Sequence, residues 1–145
     1  MIRAAAALTL IAALPASAQQ GIEPWACYGS ASFLADTIYP AVPEAYSDED
    51  IRTMGAAAGL FLQVVLEAEG CPDDLDAFNA TRRAEIAGAQ DYFETTVTRG
   101  DDPEGTIAFF EQLVDICLLD IGIEEVNRLR ADFRDNGPPC GLGAG

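Results

Sequence analysis

Apolar side chains recur every three to four positions in five stretches of this chain, and prolines, glycines and acidic residues separate those stretches. This spacing puts the apolar positions on one helical face and argues against strands, which alternate every second residue. The first predicted helix runs from about Trp25 to Tyr39, with Cys27, Ala31, Leu34 and Ile38 inward and Pro40 and Pro43 closing it. The second opens at Ser47, whose hydroxyl can cap a first turn carrying Asp48, Glu49 and Asp50, and it closes at Gly70 before Pro72. From Met54 to Leu66 it is apolar or small except at Gln63, the composition of a helix buried nearly all round. The third begins among Asp73 and Asp74 and carries Leu75, Phe78, Ile86, Phe93 and Val97 up to Gly100. The fourth has Asp102 as cap, Pro103 at its first position and Gly122 past its end, with Ile107, Phe110, Val114, Cys117 and Ile121 as its core stripe. The fifth, about Ile123 to Asp135, turns Val126, Leu129 and Phe133 inward and stops at Asn136-Gly137-Pro138. Only Thr95-Thr96-Val97 has the β-branched character of a strand.

Five helices with short connections predict an all-α fold, a single-domain antiparallel bundle with the second and fourth helices central and the third and fifth laid over them. Gly55, Ala56, Ala57, Ala58 and Gly59 form a patch without bulk against which Phe109 or Phe110 can lie. Leucine at Gly59 is therefore expected to overpack the contact.

The first eighteen residues set the compartment. Arg3 supplies a positive start, Ala4 to Leu14 an apolar run, and Ala16-Ser17-Ala18 a small-residue cleavage site, so the chain divides into a signal peptide, 1–18, and a helical domain, 19–145. Cleavage is expected between Ala18 and Gln19. An apolar run of eleven residues falls short of the roughly twenty needed to span a bilayer as a helix, so no membrane insertion is expected after cleavage. The product is expected to be periplasmic or secreted. There Cys27, Cys71, Cys117 and Cys140, an even set, are expected to form two disulfides. Antiparallel succession puts the start of the first helix, the end of the second and the end of the fourth at one end of the bundle. That favours Cys27–Cys71 with Cys117–Cys140, and Cys71–Cys117 is the next choice.

Charge narrows the partners. The sequence has 24 acidic residues against eight basic ones, all arginine, and no histidine. Cleavage removes Arg3 and no acid, which leaves a net charge of −17 and disfavours nucleic acid and anionic membrane. Without imidazole or an ε-amine there is no Ser-His-Asp or Cys-His system, no histidine-held metal and no Schiff base, and no catalytic, cofactor or metal residues are assigned. Carboxylates alone remain for acid–base work, as glycoside hydrolases use them. Gly55-Ala56, Gly59-Leu60 and Gln63 loosely resemble the Gly-Ala-x-Gly-Leu-Met-Gln stretch of lytic transglycosylases, but their spacing differs and no Glu-Ser pair supplies that family's acid. Asp73, Asp74 and Asp76, like Asp101, Asp102 and Glu104, lack the alternating pattern of a calcium loop and suit helix starts. Trp25, Tyr28, Tyr39 and Tyr46 form either a contact patch or the cover of the bundle's open end. The expectation is a small, acidic, exported bacterial protein that binds a basic protein or peptide without catalysis. The alternatives are a carboxylate-based cell-wall glycan hydrolase or lyase, and an acidic structural protein with no discrete ligand.

Overall fold

A computed structural model describes residues 22–142; the signal segment 1–18 and the Ala18–Gln19 junction lie outside the described residues. The first helix is α1 (Pro24–Phe33), a π-helical turn (Leu34–Ile38) and α2 (Tyr39–Ala41) in one continuous rod. Pro40 accounts for the wide turn: it has no N–H to give the carbonyl of Asp36 and its ring crowds that carbonyl, while the Tyr39 N–H bonds back to Leu34. Four further helices follow, α3 (Asp48–Glu69), α4 (Leu75–Thr98), α5 (Pro103–Ile121) and α6 (Ile123–Asn136), then a 3-10 turn at Pro139–Gly141. The described residues thus form an all-α single domain of five helices, with no strand among them. The sequence-based starts hold. Ser47 and Asp50 form a reciprocal capping box, Asp74 accepts from the Ala77 N–H, and Asp102 accepts from the Gly105 N–H. Thr95-Thr96-Val97 lies within α4, where the Thr96 hydroxyl bonds to the Tyr92 and Phe93 carbonyls.

The first helix occupies the centre, not the second and fourth as the sequence suggested. It buries Trp25, Cys27, Tyr28, Ala31, Phe33, Leu34, Ile38 and Tyr39, and packs on α3, α4 and α5 at once. Contacts fix the directions. Trp25 meets Phe78 and Phe33 meets Phe93, so α4 runs parallel to α1; Phe33 meets Phe110 while Cys27 meets Cys117, so α5 runs antiparallel. A central helix needs little girth, and Gly29, Ser30, Ala31 and Ser32 provide that. A methyl group at Gly29 would lie 2.6 Å from the Glu85 carbonyl oxygen of α4.

Of the expected small-residue patch on the next helix, only Ala57 and Ala58 are buried. A β-carbon at Gly55 or Gly59 meets nothing within 4 Å, and Gly55 and Ala56 are exposed. Leucine at Gly59 therefore has space, because α3 packs on the first helix through Ala57, Ala58, Phe61, Leu62 and Val65, which leaves the glycine edge open. Phe110 packs on Phe33, and the exposed Phe109 stacks on Tyr92. Leu75 and Phe133, expected inward, are also exposed. By length and composition α3 is long and apolar enough to cross a membrane, but here it is the helix against which α1 rests.

The four cysteines form two bridges with a different pairing from the favoured one: Cys27–Cys117, with a Cα separation of 6.1 Å, and Cys71–Cys140, at 5.5 Å. Helix direction alone leaves Cys27 near both Cys71 and Cys117; side-chain direction decides between them. Cys27 and Cys117 lie on the core stripes of adjacent helices, each 2% exposed, whereas Cys71 and Cys140 are exposed in the segments that follow α3 and α6. Core sulfur meets core sulfur, and the Pro138-Pro139 tail returns to the surface loop.

Candidate functional site

At the junction of α2 with the starts of α3 and α5, two tyrosines stack. The buried Tyr39 donates from its hydroxyl to Oε1 of Glu111 at 2.9 Å, and the ring of half-buried Tyr46 lies 3.9 Å from the Tyr39 ring at an interplanar angle of 10°. Burial, then the Glu111 hydrogen bond and charge, push the Tyr39 pKa well above its ordinary value. Tyr46 is raised by burial and by Glu111, with Glu104 and Asp50 adding to the effect. Both phenols are thereby held neutral in a field of carboxylates. Arg52, Arg128 and Arg134 form their ion pairs elsewhere, with Glu49, with Glu67 and Glu125, and with Asp135. An aromatic face rimmed by acids attracts cations through both the ring quadrupole and charge.

Two grooves flank the open glycine edge of α3. One, about 360 Å³, lies between the first helix and α4 and is lined by Tyr28, Ser32, Asp36 and Arg82 over Gly55 and Gly59. The Arg82 Nε donates to the Tyr28 hydroxyl at 2.9 Å, and its guanidinium carbon lies 5.5 Å from the Tyr28 ring centre. The other, about 220 Å³ between α3 and α6, is mostly apolar, with Leu60, Gln63, Arg130 and Phe133 in its walls.

The remaining sequence candidates have structural places. Asp74 and Asp102 cap helices, and no group of three or more Cys, Asp or Glu side chains is arranged to hold a metal ion among the described residues. Glu67 accepts from Arg128 at 2.6 Å and Glu69 from the Trp25 indole at 2.9 Å. Trp25, Tyr28 and Tyr39 are buried, so of the proposed aromatic patch only Tyr46, stacked on Tyr39, meets solvent. Glu85 has its carboxyl pKa raised, by burial first and by Glu23 second, but it sits at the α1–α4 contact beside Gly29 and lines neither groove. Ser32, Asp36 and Arg82 escape a reading by motif. Their one signal is the pair Ser30 and Ser32, hydroxyl residues in the mostly apolar stretch of the central helix that precedes Asp36.

No family model, curated protein or solved structure matches this chain.

Proposed function

We propose that this chain is a non-catalytic binding protein, exported to the periplasm or beyond, whose acidic tyrosine-bearing end takes a basic protein or peptide. The observation that carries this reading is the Tyr39–Tyr46 stack with Glu111, Glu104 and Asp50 acting on it and none of those acids paired with an arginine among the described residues. An arginine side chain fits such a place because its plane lies on a tyrosine face while its N–H groups reach carboxylates. The excess of acids over the rest of the chain draws such a partner in and repels nucleic acid. Two intramolecular disulfides, and a signal-like start, support an oxidising compartment.

The test is calorimetric titration with an arginine-rich peptide at about 0.05 M and about 0.5 M salt, where the screening length falls several-fold. Binding should weaken strongly at high salt, and the pair Glu104→Gln with Glu111→Gln should weaken it several-fold more than the equally charge-changing pair Asp91→Asn with Glu124→Gln. Equal losses in both pairs would mean diffuse attraction to an acidic surface and no binding end.

A further inference from the structure

Beyond that reading, and independently of it, we infer that the groove between the first helix and α4 is a binding site for a small zwitterion, a free amino acid or dipeptide with an apolar side chain. The groove holds charges of both signs that do not satisfy each other. Asp36 and Arg82 both line it, yet no ion pair joins them, and Arg82 has no carboxylate within 4.0 Å among the described residues, in a chain with 24 acids. Arg82 is half-buried, unlike the other described arginines, which are all exposed. It is held by Tyr28 through Nε and the ring face, which leaves its terminal N–H groups without a partner among the described residues.

Two hydroxyls complete a donor set. Ser32 and Tyr28 are each only 4% exposed and line the groove. The Ser32 hydroxyl makes no hydrogen bond among the described residues, and the Tyr28 hydroxyl accepts from Arg82 but donates to nothing there. Among the described residues no fully sealed polar side-chain atom lacks a partner, so the Ser32 hydroxyl is accessible, and Ser32 lines the groove. A carboxylate at this point would accept from guanidinium, phenol and serine together, with charge-assisted hydrogen bonds. Three groups with hydrogen-bonding capacity to spare therefore line one cavity, the arrangement of a site that a polar ligand completes.

The opposite end and the floor define the rest of the ligand. The π-helical turn brings Asp36 to the lining, where its carboxylate can accept from an ammonium group; a simple anion would meet it as repulsion. Gly55 and Gly59 leave the floor open, and Leu62 and Ile86 provide apolar wall for a side chain. A volume of about 360 Å³ suits one or two amino acid residues, since an aromatic ring already fits a cavity of about 150 Å³.

The probes are L-leucine and alanyl-leucine, titrated into the folded chain by calorimetry, with N-acetyl-leucine and leucinamide as analogues that each lack one charge. Saturable binding of leucine or the dipeptide is expected. It should fall by about tenfold or more for either analogue and for Asp36→Asn, an exposed position, and for Ser32→Ala or Arg82→Gln. Because Arg82→Gln also disturbs Tyr28, the two analogues carry the decision on the unaltered protein. N-acetyl-leucine binding as tightly as leucine would overturn the zwitterion, and no saturable binding of either probe up to about 10 mM, beyond the millimolar end of small-ligand affinity, would overturn the site.

Discussion

Two runs of small residues sit on adjacent helices and meet opposite surroundings. Gly29-Ser30-Ala31-Ser32 is buried throughout, with the α4 backbone against Gly29. In the Gly55–Gly59 run, Ala57 and Ala58 are buried but the glycine edge looks onto two open grooves. Their neighbours explain the difference. The first run lies between Trp25, Tyr28, Phe33 and Leu34, large apolar groups that draw helices in from several directions. The second follows Asp48 to Thr53, a mostly polar opening turn that keeps the start of α3 in solvent on one side. Small residues let backbones approach; bulk on the same helix decides whether anything does.

The disulfides repeat the contrast between enclosed and open, and they carry the largest expected effects. Sequence separations of 90 and 69 residues give the two bridges nearly equal loop entropies, about 4–5 kcal/mol each taken alone, and less for either while the other remains because the loops overlap. Replacing Cys27 and Cys117 by alanine should nonetheless cost about 1–2 kcal/mol more in urea unfolding than replacing Cys71 and Cys140, since only the first pair leaves a void in the core. A reductant acting on the native protein should open Cys71–Cys140 first, because both of its cysteines are exposed. Equal reduction rates would remove the distinction between an enclosed and an open half.

Next in size is Gly29→Ala. The added carbon would stand 2.6 Å from the Glu85 carbonyl oxygen and 2.8 Å from its carbon, both backbone atoms that no rotamer change can move. α4 must shift along its contact with Trp25 and Phe33, and the cost should be about 2–3 kcal/mol, a melting temperature lower by roughly 5–15 °C. An unchanged melting temperature would show that α1 and α4 do not approach this closely.

Much of this was legible in the sequence. Five helices follow from a three-to-four spacing that no strand pattern rivals, and Ser47, Asp74 and Asp102 mark helix starts because their side chains replace missing intrahelical acceptors. Which helix is central was not legible, since the spacing of apolar positions does not predict that Tyr28, Ser30 and Ser32 are buried as well. The sulfur pairing was closer to hand: Cys27 and Cys117 both fall on apolar stripes, and side-chain direction along those stripes separates them from the two loop cysteines. The groove could not be read because Tyr28, Asp36, Gly55 and Arg82 belong to three helices, and a π turn, which a regular helical count omits, sets the position of one of them.

Gly59→Ala should have the smallest effect and the opposite sign to Gly29→Ala. Glycine inside a helix is less favourable than alanine by about 0.5–1 kcal/mol because it gives up more backbone freedom on folding. At Gly59 a methyl group meets nothing within 4 Å, so no clash offsets that gain and the melting temperature should rise by about 2–5 °C. The same methyl narrows the floor of the groove containing Ser32 and Arg82, so leucine should bind this stabilised variant more weakly. A gain in stability coupled to a loss of affinity would place the reason for glycine in what the groove holds. A fall in stability would instead show the α3 edge to be as tightly packed as the first helix, and the contrast between the two runs would collapse.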